Sequence, residues 1–209
     1  FWPFILISKK RYTGDKYEFN TDDCARTSMG IVLKRRDNAP IVKYVFGNVI
    51  EKIMIDRDFD GTIEWLTETL TRIRNGDFPL RYFVITKALR GNYKNPTSQP
   101  HKVLADKIAI RDPGNKPKVN DRIPFAYIKL PTDVLYDKQN PYKSGVRKGQ
   151  PRCRNILQGD RVEHVDQIEK MNIELDYEFY ISNQIMNPVK QVLDLRLDPI
   201  ETEKLFAAK

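Results

Sequence analysis

The sequence has few of the residues from which disulfide frameworks and zinc sites are built. Its 209 residues include two cysteines, Cys24 and Cys153, and two histidines, His101 and His164. Two distant cysteines are too few for a disulfide framework or a zinc cluster, and the two histidines do not complete one. A reducing compartment is therefore the default expectation.

Long hydrophobic runs and the common catalytic motifs are also missing. Because 31% of the residues are charged and apolar runs are short, we expect no membrane span and no signal peptide. The sequence has no Gly-rich phosphate loop and no nucleophile elbow, so we predict no catalytic residue within it. It opens on Phe1-Trp2-Pro3 without a methionine, and we expect it to be part of a longer protein.

Positive charge is in excess, and it is unevenly distributed. The chain has 36 Lys+Arg and 28 Asp+Glu, a formal net charge of +8. Five basic and ten acidic residues lie from Glu163 to Lys209, which leaves 31 basic and 18 acidic residues before Glu163. Such a basic surface attracts a polyanion, either nucleic acid or an anionic membrane face. The alternative is a solubilising surface with no specific partner.

The first half is predicted to form a β-hairpin followed by two helices. A strand-like block at Phe4–Ile7, a Gly14-Asp15 turn and a strand around Tyr17–Phe19 predict the hairpin. Helical spacing then runs from Val42 to Ile53, with Pro40 near its first turn. The second helix carries Ile63, Leu66, Leu70 and Ile73 on one face; its expected N-cap is Asp58 or Asp60, and its end is Asn75-Gly76.

The rest of the chain is predicted to be helix-rich with short strands, which makes the class α+β. The stretch from Tyr136 to Gly159 has no clear period and reads as an exposed basic loop. The other predicted elements are strands at Tyr82–Thr86 and Phe125–Leu130, a helix from Pro100 to Ile110 entered through Ser98, helical segments at Val165–Met171 and Tyr177–Ile185, a break at Asn187-Pro188, and a last helix carrying Val189, Val192 and Leu193.

Two compact basic clusters are the candidate binding residues. Lys9-Lys10-Arg11-Tyr12 follows a strand and combines point charges, a planar guanidinium and a hydroxyl, which suits phosphates and groove edges. In Lys34-Arg35-Arg36-Asp37, the acid can pair an arginine or cap the following helix. The alternative for both clusters is a purely structural or solvated role.

Paired carboxylates do not form a convincing metal site. Asp22-Asp23 lies in a predicted loop, and Asp56-Arg57-Asp58 lies between two helices, where helix capping explains it. We therefore predict no metal-binding residue in this chain.

A series of motifs in a fixed order resembles family B DNA polymerases, in particular their delta-like members. Phe4–Gly14, which contains Lys9 to Tyr12, resembles the lysine-lysine-basic-tyrosine motif at the junction of palm and thumb. The resemblance covers almost the whole chain, and its tail is most similar to polymerases of large nucleocytoplasmic DNA viruses. The other segments that carry it are Gly30–Pro40, Val84–Leu89, His101–Ala105, Arg111–Gly114, Asp121–Pro124, Gln158–Asp160 and Tyr177–Pro188.

The resemblance implies a domain division and a set of DNA-binding residues. Residues 1–40 would be the C-terminal edge of the palm, and residues 41–209 the thumb. Lys9, Lys10 and Arg11 would read the minor groove near the primer terminus, where the hydrogen-bond pattern is degenerate, and Asp37 would orient arginines that grip the duplex backbone. The full predicted DNA-binding set is Lys9, Lys10, Arg11, Tyr12, Arg35, Arg36, Asp37, Lys87 and Arg122.

The implied function is a segment of a DNA-directed DNA polymerase, a nucleotidyltransferase, that grips primer-template DNA during replication. The family's catalytic aspartate segments do not occur here, so the chain is expected to be inactive alone, with Mg²⁺ bound by carboxylates outside it. Deoxynucleotides and a processivity factor are the other implied partners. The implied localisation is intracellular, in the nucleus or at a viral replication site in the cytoplasm.

Two other function classes stay open. The first is a non-enzymatic basic module that binds nucleic acid for architecture or recruitment. The second is a polybasic membrane-surface protein, which is disfavoured because the basic residues alternate with strands and turns and do not line one face of an amphipathic helix.

Overall fold

The structure is a computed structural model, and it describes residues 1–18, 23–35, 37–137, 139 and 141–207. The chain forms two compact units. The first consists of Phe1–Phe83 together with Tyr177–Lys209, and the second of Val84–Asp176. These units are defined by compactness and do not test the predicted palm and thumb boundary at residue 40, which stays a prediction.

Eight short strands and eight α-helices follow one another along the described chain. The strands are β1 (Phe4–Ser8), β2 (Arg11–Tyr17), β3 (Cys24–Met29), β4 (Ile85–Ala88), β5 (Arg122–Tyr127), β6 (Tyr136–Asp137), β7 (Arg152–Cys153) and β8 (Val162–His164). The helices are α1 (Pro40–Glu51), α2 (Phe59–Arg74), α3 (Pro100–Arg111), α4 (Thr132–Leu135), α5 (Val165–Met171), α6 (Tyr177–Phe179), α7 (Met186–Leu193) and α8 (Pro199–Phe206). The predicted α+β class, with small antiparallel sheets and a helix-rich remainder, is confirmed.

The first unit opens with an antiparallel sheet in the order β1-β2-β3. The hairpin turn lies at Lys9-Lys10, so the predicted turn at Gly14-Asp15 is wrong. Gly14 pairs with Phe4 in the middle of the sheet, and a Cβ on Gly14 would lie 2.5 Å from Cδ2 of the Phe4 ring. Gly14 therefore serves the close packing of a neighbouring ring rather than a turn.

The predicted pair of helices is confirmed as α1 and α2. Pro40 is the first residue of α1, where a missing N–H costs no hydrogen bond. Asp58 is the N-cap of α2, and its carboxylate accepts a hydrogen bond from the Gly61 amide at 2.9 Å. The buried residues recur with helical spacing and form the core of this unit, with Phe46, Leu66 and others at 0–1% exposure.

The C-terminal part of this unit contradicts the predicted break at Asn187-Pro188. The chain stays helical from α6 through a π-helical stretch, Tyr180–Ile185, into α7, which contains Pro188. Proline normally clashes with the carbonyl four residues earlier. Here that carbonyl belongs to Gln184, in the π-helical stretch, where the hydrogen-bond pattern of the α-helix is interrupted. The final helix α8, which the sequence pattern did not predict, is capped by Asp198.

The second unit contains an antiparallel sheet in the order β4-β5-β8. Both predicted strands exist, but β4 begins three residues later than expected and β5 starts at Arg122, before Pro124. Pro124 is tolerated because β8 pairs only with Phe125–Tyr127, so β5 is an edge strand at Pro124. The short strand β8 was not predicted. Helix α3 is confirmed, although its N-cap is Gln99 rather than Ser98.

The predicted loop from Tyr136 to Gly159 contains the two-stranded β6-β7 ladder. None of the helices in the described ranges is long and apolar enough to cross a membrane.

Candidate nucleic-acid interface

The turn between β1 and β2 consists of Lys9 and Lys10, two predicted DNA-binding residues, and we call it the lysine turn. Lys9 and Lys10 are both exposed, and Lys10 has a positive φ of 63°. The turn packs against Gly30, where an added Cβ would lie 2.2 Å from the Lys10 carbonyl oxygen. Gly30 has φ +64° and precedes the second basic cluster. The fold therefore places the start of the Gly30–Asp37 segment against the lysine turn.

Arg11 and Tyr12 support the turn and are less exposed than the two lysines at its tip. Both are half-buried. The Arg11 guanidinium donates a hydrogen bond to the side-chain oxygen of Gln191 in α7. The Tyr12 ring lies 5.6 Å from the ring centre of Phe4 and 6.4 Å from that of Phe1. These contacts fix β2 just after the turn, so Lys9 and Lys10 are the more accessible members of the motif.

The second cluster is organised by an ion pair. Arg35 donates through Nε and Nη2 to the two carboxylate oxygens of Asp37, each at 3.2 Å. This pairing raises the pKa of Arg35. Helix α1 has Ala39 as its N-cap and no side-chain cap, so the capping alternative for Asp37 is wrong. The orientation of Arg35 by Asp37 matches the predicted geometry, while Arg36 lies outside the described residues.

A partly buried ion-pair network holds the sheet behind the turn. Arg26 in β3 donates through Nε and Nη2 to both carboxylate oxygens of Asp15 in β2, and through Nη1 to Glu51 at 3.4 Å. Hydrogen bonds with Asp15 raise the pKa of Arg26. Asp15 is 7% exposed. The network joins β2 and β3 to the end of α1, which gives these acids a structural role.

In the second unit, Lys87 and Arg122 lie on adjacent strands but on opposite faces. Lys87 pairs with Ile123 and Arg122 pairs with Ala88. Directly paired residues share a face and successive residues alternate, so Lys87 and Arg122 start from opposite sides of the sheet. Arg122 is exposed and donates to the Thr86 carbonyl at 3.3 Å. The DNA-binding roles of both residues stay predictions.

Lys87 lies close to a buried histidine, His101, that was not among the predicted DNA-binding residues. His101, the second residue of α3, is 5% exposed. Its Nε2 is 3.0 Å from the Tyr93 hydroxyl, which accepts a hydrogen bond from the Arg90 amide at 2.7 Å. Burial, with the positive charges of Lys87 and Arg90, lowers the pKa of His101 below its ordinary 6.5. Burial and the neighbouring cations Lys87 and Arg90 therefore favour the neutral form of the His101 imidazole.

The stability of the second unit is expected to fall in mild acid because of His101. As the pH falls below about 6.5, the unfolded chain binds a proton that the folded histidine does not, until the pH reaches the lowered folded pKa. Hydrogen exchange of the α3 amides, corrected for intrinsic rates, should show this loss in the wild type and much less of it in H101Q. An unchanged pH dependence in H101Q would contradict the assignment.

Glu163, the acidic half of a well-defined ion pair in the second unit, has structural partners. Arg111 donates through both terminal nitrogens to Glu163, at 3.0 and 2.8 Å. Although burial acts to raise the pKa of Glu163, these bonds and the His164 amide hold that pKa below its usual range. Within the described ranges, no group of three or more His, Cys, Asp or Glu side chains could hold a metal ion. Asp22 lies outside those ranges, and Asp23 is exposed.

Comparison with known proteins gives one consistent result. Residues 1–195 match the family described as DNA polymerase family B. The chain is 45% identical over 204 residues to a DNA polymerase of Acanthamoeba polyphaga mimivirus, covering 98% of this chain and 11% of that protein. It is 43% identical over 197 residues to a DNA polymerase of Pyramimonas orientalis virus, covering 94% of this chain and 15% of the relative.

More distant relatives agree. The DNA polymerase delta catalytic subunit of Schizosaccharomyces pombe is 28% identical over 205 residues, covering 98% of this chain and 16% of that protein. The structure of the family B DNA polymerase from Pyrobaculum calidifontis superimposes with a TM-score of 0.63 at 16% identity, over 93% of this chain and 22% of that one, which shows a shared fold. The chain thus spans 11–16% of the length of these curated relatives.

Proposed function

Because this chain belongs to DNA polymerase family B, we propose that it grips primer-template DNA within a longer DNA-directed DNA polymerase that replicates DNA. In this proposal the Lys9-Lys10 turn faces the minor groove near the primer terminus. Arg35, which lies in the same unit as the turn and is oriented by Asp37, contacts backbone phosphates of the DNA. Lys87 and Arg122, in the second unit, also contact backbone phosphates. Arg36 keeps its predicted backbone role.

The single observation that supports this proposal most strongly is the geometry of the lysine turn. Two exposed ammonium groups stand at the tip of a hairpin whose base is fixed by Arg11 and Gln191 and whose flank is fixed by Gly30. Minor-groove acceptors are shared by A·T and T·A pairs, and G·C pairs add only one donor. Point charges on a fixed turn can therefore contact any correct pair without reading sequence.

Chemistry would come from groups outside the described residues. We propose that Mg²⁺ and the incoming deoxynucleotide bind to carboxylates elsewhere in the longer polymerase, because the His, Cys, Asp and Glu side chains of the described residues form no group of three or more that could hold a metal ion. Magnesium supplies charge stabilisation during phosphoryl transfer when bound there. A processivity factor, and an intracellular location in the nucleus or at a viral replication site in the cytoplasm, complete the proposal.

Duplex affinity of this chain should fall steeply with salt and depend on the lysine turn. Each bound cation that displaces condensed counterions, whether it lies on a phosphate or in a groove flanked by phosphates, contributes about 0.9 to the magnitude of the slope of log K against log salt. The double variant K9A/K10A should therefore lower that slope by about 2, as measured by fluorescence anisotropy with a duplex of mixed sequence. The matched control K170A/K204A removes two exposed lysines at other positions and should leave the slope close to that of the wild type.

Two results would count against the proposal. One is a duplex affinity that does not change with salt. The other is full primer extension by the longer polymerase carrying Lys10→Ala, which would remove the minor-groove role. Absence of extension by the unaltered longer polypeptide with Mg²⁺ would instead favour the non-enzymatic nucleic-acid-binding module.

A further inference from the structure

The chain around β6 and β7 is a built hairpin rather than an irregular loop. We call residues 136–154 the basic hairpin. Tyr136 pairs with Cys153 and Asp137 with Arg152. Farther out, the Tyr142 amide donates to the Gln150 carbonyl and the Gly149 amide donates to the Tyr142 carbonyl, each at 3.0 Å. These bonds close the outer part of the hairpin into a defined shape.

Glycine supplies the backbone conformations that this tip requires. Gly145 has φ +81° and Gly149 has φ +83°, values that other residues adopt only with strain. Hydrogen bonds from the Lys148 amide to Gly145 and from the Gln150 amide to Arg147 complete the turn. The side chains of the tip are thus carried on an ordered backbone.

The charge of the basic hairpin is almost entirely positive. Residues 136–154 contain six lysines and arginines and one acid, Asp137. The five cations that the structure describes are all exposed. They are Lys143, Arg147, Lys148, Arg152 and Arg154.

Several other cations of the same unit are paired with acids within the fold, whereas those at the tip are not. Lys102, Lys107 and Lys129 pair with Asp106, Asp160 and Glu174. By contrast, Lys143, Arg147 and Lys148 form no ion pair within the described part of the chain. The tip therefore leaves three positive charges for an external anion.

Arg152 adds a pre-oriented planar cation. Its guanidinium lies 5.5 Å from the centre of the half-buried Tyr142 ring. Attraction to an aromatic face restrains the position of the guanidinium and leaves its N–H donors available, which suits phosphate oxygens. Among the described residues of the tip, Val146 is the exposed large aliphatic side chain, so this described part presents no apolar face of the kind that membrane-surface elements use.

We propose that the basic hairpin is a second phosphate-binding element, which contacts the backbone of duplex DNA independently of the lysine turn and of sequence. This inference rests on the proposed function and extends it to residues outside the family motifs. Binding would be electrostatic, through point charges at Lys143 and Lys148 and planar forks at Arg147 and Arg152.

The test is the salt dependence of duplex binding by K143Q/R147Q/K148Q. Loss of three phosphate contacts should make the slope of log K against log salt less steep, reducing its magnitude by about 2.7. The matched control K102Q/K107Q/K129Q removes the same charge from the same unit, but at paired positions, and should lower the slope far less. Circular dichroism should show that both variants are folded.

Comparison with K9A/K10A separates this inference from the proposed function. If K9A/K10A lowers the slope while the hairpin variant behaves like its control, the hairpin inference is wrong and the function stands. If neither variant lowers the slope, the proposed duplex grip itself is wrong. Loss of binding to anionic phosphatidylserine vesicles with unchanged duplex binding would also overturn the inference, in favour of a membrane partner.

Discussion

Gly30→Val is expected to lower the free energy of unfolding of the first unit by about 3 kcal/mol, the sum of two costs. A residue with a Cβ pays about 1–2 kcal/mol in the left-handed region, which Gly30 occupies at φ +64°. The Cβ would also lie 2.2 Å from the Lys10 carbonyl oxygen, and overpacking against fixed atoms costs about 1–3 kcal/mol. The contact is with backbone, so relief requires the lysine turn to move.

The measurement is urea unfolding followed by tryptophan fluorescence. Trp2 and Trp65 are the two tryptophans of the chain, and both lie in the first unit, so their signal reports that unit. The matched control is Gly47→Ala in α1, where the added Cβ would lie an ordinary 3.5 Å from Leu33. That change should stabilise by about 0.5–1 kcal/mol. Equal effects at Gly30 and Gly47 would contradict the argument.

The position of the lysine turn shows where sequence reasoning reached its limit. The strand before the basic motif and the family resemblance are confirmed, whereas the DNA-binding role of the motif stays a prediction. The Gly14-Asp15 dipeptide predicts a turn because glycine and aspartate are typical turn residues. In the fold, Gly14 admits the Phe4 ring and Asp15 pairs with Arg26, contacts that join residues distant in sequence. Lys10 takes the positive φ instead.

The register between β4 and β5 is a second feature that the sequence alone does not predict. The motifs that contain Lys87 and Arg122 were recognised, and both β4 and β5 exist, but which faces they share depends on the pairing of the two strands. A shift of one residue would place both side chains on the same face. The observed pairing of Lys87 with Ile123 separates them, and Lys87 lies close enough to His101 to lower its pKa. No local pattern contains that information.

Local sequence patterns also do not predict which segments of the chain form the first unit. Residues 177–209 return to complete a unit begun by residues 1–83. Helical spacing predicted the segment after Tyr177, yet it gave no sign of which core the segment would join. The contact that joins it most directly is made by Tyr180, which is fully buried.

Tyr180→Ala is expected to cost about 4 kcal/mol of unfolding free energy in the first unit, as for other buried aromatic truncations. The Tyr180 ring lies 5.1 Å from the ring of Phe83, edge to face, and its hydroxyl donates to the Phe83 carbonyl at 2.6 Å. Removing the ring leaves a cavity at the point where the returning segment meets residues 1–83. Tryptophan fluorescence during urea unfolding again reports the loss.

Tyr180→Phe separates the two contributions of this side chain. It keeps the ring and removes one hydrogen bond, leaving the buried Phe83 carbonyl without that donor, which costs about 1–3 kcal/mol. We therefore expect Y180F to lie between the wild type and Y180A. If Y180F were as unstable as Y180A, the hydrogen bond rather than ring packing would hold the returning segment. If Y180A unfolded like the wild type, residues 177–209 would not be an integral part of this core.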